Sequence, residues 1–283
     1  MRPLITVEDL ATRLGQPDGP VVLDVRWSLL GPPGREDYER GHLPGAVFVD
    51  LNTELAAPPG PGGRHPLPAA EDLQRVLRRA GVRADRTVVV YDAADGSAAA
   101  RAWWLLRWAG HPDVRVLDGG YAAWTAAGHP VTTEVPEVAE SEFEVVPGSM
   151  PVIDAPEAAD LAREGRLLDA RAPERYRGEV EPVDPRAGHI PGALNAPFQD
   201  NTTEEGRWKS PDELAAMFRE LGVDGSSDVA AYCGSGVTAC SALLALEHAG
   251  LSGPGNTAAL YAGSWSHWSA DPERPAAIGP ERG

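Results

Sequence analysis
Two cysteines, Cys233 and Cys240, make up the thiol content of this chain, and both lie in one stretch, YCGSGVTAC. Cys233 follows the apolar run DVAAY and opens a turn that contains Gly234, Ser235 and Gly236. A helix-like segment, TACSALLALEHAG, comes next. In a parallel sheet, functional loops lie beyond the carboxyl ends of the strands, and Cys233 is the first residue of such a loop. Gly234 and Gly236 permit tight curvature with peptide N–H groups turned inward. The following helix adds the positive end of its dipole and unpaired N–H groups. Together these predict an anion cradle centred on the sulfur, with Gly234, Gly236, Val237 and Thr238 as its binding residues. The same field is expected to lower the thiol pKa below its free value of roughly 8.5 and so supply a thiolate nucleophile. The plainer alternative is a buried cysteine that packs as a small hydrophobe. It suits Cys240, seven residues on beside Leu243 and Leu244. For Cys233 the strand end, the glycines and the helix start favour the nucleophile.

Such a loop needs a strand before it, a helix after it and a sheet around it. The chain contains that set twice. VVLDVRW (21–27) recurs as RLLDARA (166–172), and GHLPGA (41–46) as GHIPGA (188–193). LQRVLRRAGV (73–82) parallels LAAMFRELGV (214–223), TVVVYD (87–92) parallels DVAAYC (228–233), and GGYAAW (119–124) parallels GSWSHW (263–268). Five landmarks in one order imply two copies of a unit of about 120 residues, far longer than a solenoid repeat. Two domains also agree with a length of 283 residues. Short apolar runs alternate with helical patterns, which implies α/β domains, each a mostly parallel sheet flanked by helices on both faces. The segment SPDELAAMFRELG predicts a helix with Ser210 as N-cap, Pro211 in the first turn, Glu213 closing a capping box and Gly222 at the stop. The expected division is 1–128 for the first domain, 129–150 for an acidic, proline-marked linker, 151–275 for the second domain and 276–283 for a tail.

Composition narrows the partners. The formal net charge of −17 argues against nucleic acid, whose phosphates would be repelled. No run of about 18 apolar residues occurs, so no membrane span is expected. The N-terminus MRPLITVEDLATRLG has no signal-peptide pattern, which makes the cytoplasm the default location. Two cysteines form no disulfide framework. There is no CxxC, no HExxH and no GxGxxG ahead of a helix, so no metal or organic cofactor is implied.

GHIPGA, the LLDAR strand, CGSGVTAC and the terminal GSWSHW together resemble the two-domain rhodanese family of sulfurtransferases, over about residues 4 to 270. In that family the second domain carries a cysteine that accepts sulfane sulfur as a persulfide and passes it on. The resemblance implies that role for Cys233. It also implies a small anionic sulfur donor and an acceptor such as cyanide or a thiol, reduced thioredoxin being one. Asp92 stands where the first copy would need the cysteine, so that copy is expected to be catalytically silent. Phosphatases of the same fold use Cys-x5-Arg; the matching position here is Ala239, which excludes them. Thiosulfate-using members carry cations just after the nucleophile, where this chain has Gly234 and Ser235. CGSGVTAC is more similar to the loop of the 3-mercaptopyruvate-using members, with thiosulfate as the runner-up donor. The resemblance pairs Ser235 with His65 of GRHPLP in a proton relay that the family completes with an aspartate; Asn52 stands at that position here, with Asp50 two residues earlier, and either is the candidate support for His65. It places Arg175 and Arg186 on the donor carboxylate, while Arg171 is expected to make a structural ion pair. The histidines of GH[LI]PGA, His42 and His189, occur in both copies and are read as loop pins. A non-catalytic binding module built from two such domains is the alternative to an enzyme.

Overall fold
The computed structural model describes residues 2–29, 31–93 and 95–283. Valine- and leucine-rich runs form short strands because residues buried on both faces need no polar alternation. In the first half these are β1 (Leu4–Ile5), β2 (Val21–Asp24), β3 (Val47–Phe48), β4 (Val88–Tyr91) and β5 (Val114–Leu117). They pair in the order β1-β5-β4-β2-β3, and every pairing is parallel. Helices α1 (Val7–Arg13), α2 (Gly34–Arg40), α3 (Ala70–Arg79), α4 (Ser97–Trp108) and α5 (Gly120–Ala126) connect them. In the second half β6 (Leu167–Asp169), β7 (Leu194–Asn195), β8 (Ala230–Tyr232) and β9 (Ala259–Leu260) pair in the order β7-β6-β8-β9, again all parallel. A single parallel bridge from Val152 to Leu260 takes the place that β1 holds in the first sheet. The helices here are α6 (Ala155–Arg163), α7 (Pro173–Tyr176), α8 (Pro211–Glu220), α9 (Ala239–His248) and α10 (Ser264–Ala270). Helix α8 starts with the anticipated capping box between Ser210 and Glu213, and Gly222 follows it with φ +84°.

Equivalent residues brace each copy internally. Arg26 donates to Asp24 at 2.7 Å and to the Gly41 carbonyl at 2.7 Å. Arg171 repeats this with Asp169 at 2.6 Å and the Gly188 carbonyl at 2.7 Å, and it stacks 4.7 Å from the Trp265 ring. These pairs are buried, and removing one partner would strand a charge. His42 bonds the Tyr38 and Glu134 carbonyls while stacking on Tyr38; His189 bonds the Tyr176 and Arg282 carbonyls while stacking on Tyr176. Both histidines therefore pin loops. The tryptophans of the repeated motif, Trp124 and Trp268, sit in the cores of their respective halves.

By its contacts the chain forms two units, but the division is interleaved. One unit takes residues through Ala57, Pro68–Ser149 and Thr203–Trp208; the other takes Pro58–Leu67, Met150–Thr202 and Lys209–Gly283. The acidic stretch read as a linker is integrated into the first unit. Val146 N–H bonds the Ala109 carbonyl, Arg78 bonds the Phe143 carbonyl, and Phe143 and Val145 are buried. The tail is tied down as well, through paired hydrogen bonds between His189 and Ala277. Among the described residues no helix is long and apolar enough to cross a membrane.

Candidate active site
Strand β8 ends at Tyr232, and Cys233 begins the loop with 2% of its surface exposed. The Gly236 N–H donates to Cys233 Sγ at 3.1 Å. The carbonyls of Cys233 and Gly234 point elsewhere, each accepting at 2.9 Å from the N–H groups of Trp265 and Ser266. The sulfur thus faces an amide hydrogen rather than a peptide oxygen. Gly236 has φ +82°, and a Cβ there would lie 2.5 Å from the Ala262 carbonyl oxygen, so this corner requires glycine. Val237 is buried under the loop, and Thr238 is the N-cap residue of α9 without a side-chain capping bond. Cys240 is fully buried, its thiol 3.4 Å from the Gly236 carbonyl, in keeping with a packing role.

Ser264 holds the loop from below. Its Oγ accepts the Cys233 N–H at 3.1 Å and donates to the Tyr261 carbonyl at 3.0 Å. It is also the described non-glycine residue with positive φ, at 54°. Strain of this kind persists where the surroundings over-determine it. Ser264→Ala keeps the backbone strain and leaves a buried N–H unpaired. It is expected to lower stability by about 1–3 kcal/mol, read by denaturant unfolding, and to slow alkylation of Cys233.

The glycine-rich segment before His65 docks onto the turn that starts α10. Gly63 has φ +110°, and a Cβ there would lie 2.7 Å from the Gly263 carbonyl. The Arg64 N–H donates to Ser266 Oγ at 3.0 Å. His65 Nδ1 consequently lies 2.7 Å from Ser235 Oγ, both residues being buried. This is the pairing expected from the resemblance. Of the two residues considered as support for His65, Asp50 uses Oδ1 to accept the N–H groups of Asn52 and Thr53, both at 2.9 Å, and Asn52 accepts the Trp27 indole N–H at 2.9 Å.

The arginines divide differently from expectation. Arg175, on α7, does reach the loop: a Cβ placed on Gly234 would lie 3.3 Å from its Nη1. The second guanidinium at that point is Arg64, whose Nη2 would be 3.0 Å away. Arg175 is held by Glu181 at 2.7 Å and by Asp184 at 3.2 Å, and Arg64 pairs with Asp184 as well. Arg186 corrects the sequence reading. Its guanidinium donates to the carbonyls of Ser269 at 2.9 Å, Arg274 at 2.9 Å, Asp271 at 2.7 Å and Trp268 at 3.3 Å. Nε and both terminal nitrogens are thereby engaged around the C-terminal end of α10, where free carbonyls collect, and no fork remains for a carboxylate. Arg177 pairs with the exposed Glu179 at 2.8 Å. Arg64, Asp184, Glu181 and Ser264 were not singled out in the sequence. The available signal was Arg64 standing next to His65 after two glycines.

The first copy shows the same loop with its own occupant. Asp92, at the end of β4, accepts the N–H groups of Gly96 at 3.1 Å and of Ala98 and Ala99 at 3.0 Å. An anion seat exists here too, filled by a side-chain carboxylate that has no nucleophilic sulfur. Burial, assisted by nearby Asp95, pushes Asp92 up to about 7 despite these bonds. Because the folded value is raised, the native state holds this proton more tightly than the unfolded chain. The associated stability is complete below the ordinary carboxylate value and is lost as pH rises through about 7. Asp92→Asn is therefore expected to flatten the fall in Tm across that window; an unchanged slope would refute the assignment.

Comparison with known proteins gives one consistent result. The rhodanese-like domain model matches residues 6–127 and 154–271. A Pseudomonas aeruginosa protein named "Probable 3-mercaptopyruvate sulfurtransferase" is 48% identical over 98% of each chain. A Mycobacterium tuberculosis relative, provisionally named thiosulfate sulfurtransferase SseB, is 44% identical over 98% of this chain and 97% of its own. The crystal structure of SseA from Escherichia coli, solved for the fold and mechanism of 3-mercaptopyruvate sulfotransferases, superposes with a TM-score of 0.81 and 32% identity over 94% of this chain and 100% of its own. With the duplicated parallel sheets and the Cys233 loop, these matches establish that the chain belongs to the rhodanese-like family.

Proposed function
We propose that the protein is a sulfurtransferase that moves sulfur from 3-mercaptopyruvate through a persulfide on Cys233 to a thiol or to cyanide. The observation that carries this reading is the Ser235–His65 hydrogen bond of 2.7 Å, two residues from the nucleophile. A mercaptopyruvate thiol must lose a proton and its enolate must gain one, and a hydroxyl–imidazole pair can carry it. Thiosulfate needs no such transfer. The names of the Pseudomonas and Escherichia relatives point the same way.

In the first half-reaction Cys233 Sγ, as thiolate, attacks the donor sulfur. A new S–S bond forms, the donor C–S bond breaks, and its electron pair leaves as the pyruvate enolate. The proton from the donor thiol passes through Ser235 and His65 to the enolate carbon. The Gly236 N–H stabilises negative charge on Sγ, and Arg175 and Arg64 hold the donor anion above Gly234. In the second half-reaction an acceptor thiolate or cyanide attacks the outer sulfur and Cys233 leaves as thiolate, so kinetics are ping-pong. Thiosulfate as donor would release sulfite by the same displacement, and the Mycobacterium relative's name favours it.

Intact mass after incubation with each donor tests the proposal. A gain of one sulfur atom, with greater kcat/KM for 3-mercaptopyruvate than for thiosulfate, is expected. The reverse order makes thiosulfate the substrate. No gain with either donor, together with an unreactive Cys233, leaves a binding module.

A further inference from the structure
Two guanidinium groups converge over Gly234, and one carboxylate lies between them. Asp184 has a side chain only 2% exposed. Its Oδ1 pairs with Arg64 Nη1 and its Oδ2 accepts from Arg175 Nη2 at 3.2 Å. Glu181 is anchored differently: its Oε1 takes Arg175 Nη2 at 2.7 Å and also the N–H groups of Val183 and Asp184 at 3.1 Å. The Asp184 carboxylate, among the described residues, is bonded by the two arginines alone. Among the described residues both arginines keep a buried Nε without a hydrogen-bond partner. Burial, with Glu181 nearby, pushes the Asp184 carboxyl up from its ordinary value against the pull of Arg64 and Arg175.

We infer that Asp184 is a built-in competitor for the anion seat formed by Arg64 and Arg175, and that it sets donor selectivity by charge. The inference rests on the sulfurtransferase reading of this site. With Asp184 and Glu181 ionised, the two arginines are neutralised. A donor carboxylate is the chemical equal of the Asp184 carboxylate and replaces it like for like. A dianion gains no compensating excess of positive charge. Removing the Asp184 charge adds one net positive charge, and Coulomb energy scales with the charge of the ligand. A dianionic donor should then gain twice as much free energy as a monoanionic one. In fold-change, a KM lowered about threefold for 3-mercaptopyruvate corresponds to about tenfold for thiosulfate.

The test reads the seat with and without sulfur transfer. Cys233 is alkylated in the wild type, Asp184→Asn, Arg64→Gln and Arg64→Lys, and peptide mass gives the rate with iodoacetate relative to iodoacetamide. Asp184→Asn is expected to raise this ratio about threefold, Arg64→Gln to lower it, and Arg64→Lys to fall between Arg64→Gln and the wild type. The KM ratio of thiosulfate to 3-mercaptopyruvate should fall in Asp184→Asn. An unchanged iodoacetate ratio in Asp184→Asn overturns the inference even if every variant accepts sulfur. Absent sulfur uptake with a shifted ratio overturns the functional reading and upholds the seat. Should Arg64→Gln fail to fold, Asp184→Asn, which preserves shape, decides alone.

Discussion

Cys233→Ser should take up no sulfur from any donor, and its turnover should drop to the uncatalysed rate. The expected loss is about a millionfold or more, since the whole enzymatic acceleration passes through one covalent intermediate. A serine hydroxyl is not ionised at neutral pH and cannot form a persulfide. The other thiol offers no bypass: Cys240 is fully buried in α9, with its thiol against the Gly236 carbonyl. Cys240→Ala should still accept one sulfur atom. Intact mass and thiocyanate formation measure both variants. Residual turnover in Cys233→Ser above the background of heat-denatured protein would remove Cys233 from the mechanism.

His65→Ala and Ser235→Ala should each lower kcat with 3-mercaptopyruvate by about 10²–10⁴, the usual contribution of a positioned proton carrier. Groups that act as one unit are not additive, so the double variant should lose little more than either single one. The selective result is the comparison between donors. Thiosulfate releases sulfite without proton transfer, so both variants should retain far more of that activity. Equal losses on both donors would assign the 2.7 Å contact to holding the loop in shape. Steady-state kcat and KM for each donor, across the four members of the cycle, distinguish the two.

Landmarks that repeat along the chain were legible without coordinates. The duplicated LD-R strand end, the GH-PGA loop and the Tyr-Cys or Tyr-Asp strand end gave two parallel α/β units, because local pattern and turn chemistry agree there. Cys233, Ser235 and His65 were singled out through motif position, and the structure brings Ser235 and His65 into contact. Arg186 was misread because spacing to GHIPG sets its place on the chain but not the direction of its side chain. The carbonyls that capture it lie 82 to 88 residues further on. Arg64 and Asp184 were passed over for a related reason: their pairing spans 120 residues, and neither has a local pattern. Ser264 is similar, since a left-handed serine gives no signal in composition.

The stretch Pro58–Leu67, although flanked on both sides by chain that belongs to the first unit, groups with the second. Sequence repeats invite the view that each half is a portable module. Here they are not interchangeable parts. A gene cut between the repeats would yield a carboxyl-terminal fragment that keeps its thiol yet lacks both the imidazole and one guanidinium of the site, so fission of this protein would separate the sulfur carrier from the groups that load it.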